Sequence, residues 1–215
     1  SVRLIPYLND IRVDIKPKWF VGYSDVTVFH SWLHQKFNMQ SIHGPMMFSW
    51  GESPETKDSF EKLGLLISKG SVDYDFSSHP LSLGEGMKGT LVGGNLSLLF
   101  SLRGTDLDLD VRDKILFLED IDEYLYHIDR MMQNLKHGVW LNAIKGLLIG
   151  GMTDMNDNTI PFGQSPEEIV RELMVDLGIP VFFGYPAGHQ KRNMPLVFGE
   201  EIQVYKQGDK VFCHQ

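Results

Sequence analysis

Three near-continuous apolar runs constrain the fold of this chain most. They are KILFLED (114–120), IKGLLIGGM (144–152) and IPVFFG (179–184). A strand with one solvated face alternates apolar and polar residues, whereas a strand covered on both faces is apolar throughout. Segments with helical spacing separate the runs. This alternation of strand and helix predicts an α/β fold with a buried, largely parallel sheet.

Serine, proline and glycine mark the ends of several helices. Ser53 precedes Pro54, and Gly70 follows a helical pattern, as expected of an N-cap, a first helical residue and a stop. Helices are predicted at 25–38, 54–69, 123–138 and 165–178, the third with Tyr124, Ile128, Met131, Met132 and Leu135 inward. Further predictions are a strand at 17–22, a turn at Gly93-Gly94 and a hairpin at 201–213 that turns at Gly208.

A polar stretch at 70–88, rich in Gly, Ser, Asp and His, is taken as the boundary between two lobes. The predicted organisation is an N-terminal lobe at 1–75, a linker at 76–88 and a C-terminal lobe at 89–215.

Charge and composition exclude several classes of function. The net charge is −8, and an acidic chain repels phosphate backbones, so no nucleic-acid partner is expected. The single cysteine, Cys213, allows no disulfide within the chain. No apolar run approaches the ~20 residues of a membrane span, so no membrane partner is expected.

Ser24, in the stretch KWFVGYSDVTVFH, lies where an apolar run turns into a helical pattern. A serine at this place is a good N-cap, and Asp25 suits the first turn of a helix. The alternative is a nucleophile displayed on a strand-turn-helix elbow, where backbone N–H groups can hold an oxyanion. The motif Gly22-x-Ser24 lacks the second glycine of G-x-S-x-G, so an ordinary α/β-hydrolase is not indicated.

Two further segments place polar side chains after buried strands, where ligand sites of α/β proteins collect. Glu119 and Asp120 end the run ILFLED, although a carboxylate here could also cap a helix or pair with Arg130. His189 follows PVFFG in the loop YPAGHQKRN, where it is either positioned for catalysis or simply solvated.

The remaining candidates favour structural roles. His30 and His34 are four residues apart on one predicted helix, but no HExxH motif or third ligand accompanies them, so no metal is expected. His43 either lines a cleft or fills a loop. Gly93-Gly94-Asn95 lacks the phosphate-binding patterns, so close packing between helix and strand is the favoured reason for these glycines.

The ordered motifs GYSDVT, HGP, KGTLVGGNLSLL, ILFLEDIDEYLYHIDRMM and PAGHQKRNMPLVFG, which span nearly the whole chain, resemble the serine LD-carboxypeptidase family. The resemblance implies two lobes, the first Rossmann-like, and a catalytic triad of Ser24, Glu119 and His189. It also implies that the backbone N–H of Asp25 faces the oxyanion, and that no cofactor is required.

The spacing also fits this family. Ser24 and Glu119 are 95 residues apart and Glu119 and His189 are 70 apart, as expected of the LD-carboxypeptidase branch. Family members carry further strands and a Gly-rich oxyanion loop ahead of this region. Since only 23 residues precede Ser24, we expect an incomplete N-terminal lobe.

The resemblance implies a serine peptidase that releases the terminal D-alanine of muropeptide tetrapeptides. It also implies that the enzyme acts in the cytoplasm, in peptidoglycan recycling, and a homodimer is a family-level expectation. Arg130, Lys191 and Arg192 are candidates for the substrate carboxylate, and Trp50 for a residue that covers the substrate. One alternative is a microcin C-type immunity peptidase that cleaves an aspartyl-nucleotide amide. The other is an α/β protein that binds a small ligand without turning it over.

Overall fold

The computed structural model describes residues 1–8, 10–11 and 18–215. The helices are α1 (Ile5–Leu8), α2 (Thr27–Phe37), α3 (Pro54–Lys69), α4 (Leu96–Ser101), α5 (Leu125–His137), α6 (Trp140–Ala143) and α7 (Pro166–Leu177). The strands are β1 (Val21–Gly22), β2 (Ser41–His43), β3 (Asp73–Ser77), β4 (Gly86–Asn95), β5 (Ile115–Ile121), β6 (Gly146–Thr153), β7 (Val181–Phe183), β8 (Leu196–Phe198), β9 (Glu201–Gln207) and β10 (Lys210–His214). Short 3₁₀ turns cover Val2–Leu4, Ser24–Val26 and Met47–Ser49.

The strands form two sheets. The larger has the order β3-β10-β9-β4-β5-β6-β7, and the smaller has the order β1-β2-β8. In the larger sheet β4 to β7 pair in parallel, whereas β3, β10 and β9 add an antiparallel half. The predicted α/β class is confirmed. Its parallel part consists of β5, β6 and β7, the three strands that the apolar runs indicated, together with β4.

The strand β5 shows why those runs are apolar throughout. Ile115 and Phe117 belong to one core cluster, whereas Leu116 and Leu118 belong to another, and all four are fully buried. The first cluster also takes in residues of α3 and of both sheets, and the second takes in α5, α6 and α7. Because both faces of the sheet are covered, neither set of alternating side chains can be polar.

Local signals fixed several boundaries. The helices α3 and α7 each begin at a proline after a serine that forms a capping box, and each ends at a glycine in the left-handed conformation. The predicted strand at 17–22 is confirmed at Val21–Gly22, while Lys18–Phe20 lie outside it and Pro17 is outside the described residues. The helix predicted at 25–38 begins at Thr27, after the 3₁₀ turn. The hairpin at 201–213 is confirmed.

Two predictions were wrong. Gly93 and Gly94 do not form a turn but continue β4, with φ of +150° and +146°. A Cβ on Gly93 would lie 2.0 Å from the Phe117 carbonyl oxygen, and one on Gly94 would lie 2.6 Å from Thr27, so close packing explains both glycines. Tyr124 does not point inward but is 42% exposed ahead of α5, because that helix starts one residue later.

The polar stretch at 70–88 contains more regular structure than a boundary requires. Asp73–Ser77 forms β3, which pairs with β10 at the edge of the larger sheet. The division into lobes at 1–75 and 89–215 stays a prediction.

Candidate active site

Ser24, Glu119 and His189 meet at the carboxyl ends of three strands. Ser24 follows β1, Glu119 lies near the end of β5, and His189 lies in the loop after β7. Nε2 of His189 is 2.9 Å from Oγ of Ser24, and Nδ1 is 2.8 Å from Oε2 of Glu119. A hydroxyl, an imidazole and a buried carboxylate in this order are the groups of a base-activated serine nucleophile.

The backbone at Ser24 explains why its hydroxyl faces the histidine. Ser24 has a φ of +61°, which a residue with a side chain adopts only at some energetic cost. The N-cap position of the 3₁₀ turn belongs to Tyr23, whose side chain makes no capping hydrogen bond. Ser24 therefore does not cap this turn through its side chain. The backbone N–H of Asp25 lies in the first turn, where N–H groups have no acceptor within the helix.

Glu119 is fully buried, and the loop of His189 approaches it closely. Gly188 has a φ of +105°, and a Cβ at this position would lie 2.6 Å from Oε2 of Glu119. Only glycine fits both the conformation and the space. Gly188 therefore lets the next residue, His189, reach the carboxylate.

Tyr23 packs edge-on against the imidazole of His189, with ring centroids 5.0 Å apart. Burial raises the pKa of its phenol, with further contributions from the negative charges of Glu119 and Glu52. Behind Tyr23 lies the fully buried His43, and burial holds the pKa of this imidazole well below its usual value. His189 thus packs against the neutral phenol of Tyr23, with the buried His43 behind it.

Asp120 has a structural environment. Its carboxylate accepts hydrogen bonds from the Asn95 amide and from the backbone N–H groups of Ser97 and Ile121, so it stabilises the start of α4. Burial is the largest influence on this carboxyl and raises its pKa to about 6 despite the three donors. Asp120 does not pair with Arg130, whose guanidinium lies over the ring of Tyr126.

A cleft of about 640 Å³ opens beside His189, within the usual range for small-ligand sites. Its walls come from the loop before α3, the first turns of that helix, the ends of β5 and β6, and the loop of His189. The lining residues are Tyr23, Pro45, Phe48, Ser49, Glu52, Ser53, Thr56, Ser59, Ile121, Thr153, His189, Gln190, Lys191 and Asn193.

Of the four candidate substrate residues, only one lines the cleft. Lys191 lines the cleft, and it is the one Lys or Arg among the lining residues. Arg192 does not line the cleft and pairs with Asp58 at 3.2 Å. Arg130 does not line the cleft, and Trp50 is 62% exposed, with its ring on that of Phe60 at 4.8 Å.

His30 holds backbone segments together rather than a metal. Its two ring nitrogens bond to the Gly22 carbonyl oxygen at 2.9 Å and to Oγ of Ser41 at 2.8 Å. Across residues 1–8, 10–11 and 18–215, no group of three His, Cys, Asp or Glu side chains could hold a metal ion.

Sequence reasoning missed Tyr23, Gln190 and Asn193. Gln190 and Asn193 come from the same loop as His189, and the nearby PAGHQKRN motif is their only sequence signal. Tyr23 adjoins Ser24, but its contact with His189 joins two residues 166 positions apart in the chain.

Comparison with known proteins identifies the family of this chain. The family model for the LD-carboxypeptidase C-terminal domain matches residues 88–204, and the model for the N-terminal domain matches residues 1–44. Together they define a two-domain α/β class of carboxypeptidase. The chain belongs to the LD-carboxypeptidase family.

Individual members of the family match most of this chain. A probable murein peptide carboxypeptidase of Bacillus subtilis is 36% identical over 87% of this chain and 60% of its own length. The crystal structure of muramoyltetrapeptide carboxypeptidase from Oxalobacter formigenes has a TM-score of 0.80 at 30% identity, covering 92% of this chain and 68% of that one. The microcin C7 self-immunity protein of Escherichia coli is 23% identical over 95% of this chain and 67% of its length.

The chain thus spans about 60% of the length of the Bacillus subtilis relative. Within the described residues, no helix combines the length and apolar character needed to cross a membrane.

Proposed function

We propose that this protein is a serine peptidase that hydrolyses the L,D amide bond to the terminal D-alanine of muropeptide tetrapeptides. The observation that carries the proposal is the hydrogen-bonded chain from Ser24 through His189 to Glu119 in a member of the LD-carboxypeptidase family.

The mechanism is acyl transfer through a covalent intermediate. His189 accepts the proton of Ser24 through Nε2 while the Ser24 oxygen attacks the scissile carbonyl carbon. Glu119, bonded to Nδ1, fixes the tautomer of the imidazole and stabilises the imidazolium. His189 then protonates the nitrogen of the leaving D-alanine, and water releases the acyl group by the same steps in reverse.

The tetrahedral intermediate needs donors for its oxyanion. The N–H of Asp25, next to the nucleophile in the first turn, is the proposed donor. Loss of one such donor lowers the rate by a factor of about 10²–10³. The family supplies a second donor from an upstream Gly-rich loop, and this donor would change the rate by a similar factor.

The substrate carboxylate and the setting complete the proposal. Lys191 is the proposed partner of the terminal carboxylate, because it lines the cleft beside His189. We further propose action in the cytoplasm, within peptidoglycan recycling, and assembly as a homodimer.

A microcin C-type immunity peptidase is the second candidate. It is supported by the exposed Trp50, which follows Ser49 of the cleft wall in the chain, since an exposed aromatic side chain can stack on a nucleobase. The 95 residues between Ser24 and Glu119 favour the muropeptide assignment, because a longer insertion is expected at this place in the immunity branch.

The decisive experiment measures D-alanine release from a purified tetrapeptide muropeptide. It compares this chain, the chain extended by the upstream segment of the Bacillus subtilis relative, and Ser24→Ala in both forms. We expect release by the extended form and a loss of at least about 10³-fold in Ser24→Ala.

Ser31→Ala is the matched control, because this buried serine lies on α2 away from the histidine. Equal release by Ser24→Ala and the parent would exclude the serine mechanism. Absence of release from the extended form would exclude the muropeptide substrate. Muropeptide binding without release would then favour a binding protein, and cleavage of an aspartyl-nucleotide amide would favour the immunity branch.

A further inference from the structure

Asn193 is a buried polar residue that the proposed mechanism leaves without a role. It is 5% exposed and lines the cleft, four residues after His189. The side chain of a buried asparagine is costly to desolvate unless it forms hydrogen bonds, so its partners indicate what it does.

The side chain of Asn193 fixes the residue next to the triad histidine. Its Oδ1 accepts a hydrogen bond from the backbone N–H of Gly188 at 3.0 Å. Gly188 is held in a conformation that favours glycine and lies against Glu119. Since His189 follows directly, the orientation of the Gly188 peptide sets where the imidazole meets the carboxylate.

The backbone of Asn193 joins the same loop to the wall of the cleft. Its N–H donates to Oγ of Ser59 at 2.9 Å, and that hydroxyl donates to the carbonyl oxygen of Glu55 at 2.9 Å. Both partners lie on α3, whose first turns line the cleft. Asn193 therefore ties the histidine loop to the helix that faces the substrate.

We propose that Asn193 is a positioning residue for His189, acting through Oδ1 on the N–H of Gly188. The proposal rests on the proposed peptidase function and adds a residue to it. Among the described residues, its side chain forms no hydrogen bond with Ser24 or with the imidazole of His189. Its effect is on the geometry between His189 and Glu119.

Two substitutions at one position separate this role from simple packing. Asn193→Ala removes the acceptor. Asn193→Asp keeps an acceptor oxygen in either protonation state and replaces Nδ2, which is buried and has no acceptor among the described residues, with a second carboxyl oxygen. Asn142→Ala is the matched control, because Asn142 is exposed on α6 and bonds only to the Lys136 carbonyl oxygen within the described residues.

The kinetic readout is the division between kcat and KM for D-alanine release. Misplacing a catalytic group by about 1 Å costs up to about 10²-fold in rate. We expect Asn193→Ala to lower kcat by about 10- to 100-fold with KM within about 3-fold, and Asn193→Asp to recover most of that loss.

The second readout needs no turnover. A histidine N–H bonded to a carboxylate gives a downfield proton resonance, and the spectrum of His189→Ala assigns the one that belongs to His189. That assignment is needed because His127 and His214 also face carboxylates. We expect the resonance to be lost or broadened in Asn193→Ala and retained in Asn193→Asp and Asn142→Ala.

The outcomes are distinct. An unchanged resonance and kcat in Asn193→Ala, or equal losses in Asn193→Asp, would overturn the positioning role. If Asn193→Ala does not fold, Asn193→Leu replaces it, since leucine has a similar shape but no acceptor oxygen, and an unchanged kcat and resonance there would be equally contrary. If the extended chain releases no D-alanine but the His189 resonance still depends on Asn193, the peptidase function fails and the positioning role stands.

Discussion

At the scale of single residues, the positive charge of Lys191 bears on how the proposed substrate binds in the cleft. Lys191 lines the cleft, whereas its neighbour Arg192 is engaged with Asp58. A carboxypeptidase substrate ends in a carboxylate, and hydrogen bonds to charged groups are stronger than those between neutral groups. We therefore expect Lys191→Met to raise KM for the tetrapeptide by about 10-fold, with kcat within about 3-fold.

Two controls accompany this prediction. Arg192→Met removes an ion pair in which the arginine is half-exposed, so it should change neither constant appreciably. A tetrapeptide whose C-terminus is amidated has no carboxylate to bind. Its KM should be the same for the parent chain and Lys191→Met, and a difference would mean that Lys191 acts on another part of the substrate.

The same scale shows what sequence reasoning can reach. Ser24, Glu119 and His189 each follow an apolar run, and their order and spacing match one family, so their convergence was predictable. Asn193 was not, because an asparagine in a Gly- and Pro-rich loop usually serves the loop itself. Its contact with Gly188 becomes meaningful only when Glu119 lies against that glycine.

At the scale of elements, α3 and α7 form a natural pair for comparison. Each begins with a serine whose hydroxyl accepts the N–H of the residue three positions later, at 3.2 Å in both helices. Loss of such a cap costs about 1 kcal/mol. We expect Ser53→Ala and Ser165→Ala to lower the free energy of unfolding by similar amounts, measured by urea denaturation.

Only α3 borders the cleft, through Ser53, Thr56 and Ser59. Ser53→Ala should therefore raise KM severalfold, whereas Ser165→Ala should leave KM unchanged at the same loss of stability. Parallel changes in KM would show that the effect comes from general destabilisation and not from the position of the helix.

Elements with terminal signals were predictable, and those defined by distant pairing were less so. The bounds of α3 were predicted from Ser53, Pro54 and Gly70 alone. In contrast, β3 was assigned to a boundary, although Asp73–Ser77 alternates exposed and buried residues as an edge strand does. Its partner β10 is more than 130 residues away, and no local signal identifies such a partner.

At the scale of the whole molecule, α2 connects the two sheets. His30 on this helix bonds to Gly22 and Ser41 of the smaller sheet, and Thr27 accepts the N–H of Asn95 at the end of β4. The amide of Asn95 in turn donates to Asp120. Two buried ionisable groups, one basic and one acidic, therefore lie at the two ends of this connection.

These two groups make opposite contributions to the pH dependence of stability. Burial lowers the pKa of His30 to about 4, below its usual 6.5, so the unfolded chain binds more protons and stability rises with pH between about 4 and 6.5. Burial raises the pKa of Asp120 to about 6, above its usual 3.8, so the folded chain binds more protons and stability falls as pH rises between about 4 and 6. Each contribution amounts to roughly 3 kcal/mol, and the two largely offset each other.

Removing either group should expose the contribution of the other. The quantity compared is the free energy of unfolding of each variant minus that of the parent, measured by urea denaturation at each pH. As pH rises from 4 to 6, this difference should fall for His30→Gln and rise for Asp120→Asn. Differences from the parent cancel the contributions of groups that the substitution leaves unchanged. The double variant should follow the slope of the parent. Single variants that also kept that slope would mean that His30 and Asp120 do not titrate with shifted pKa values in the folded protein.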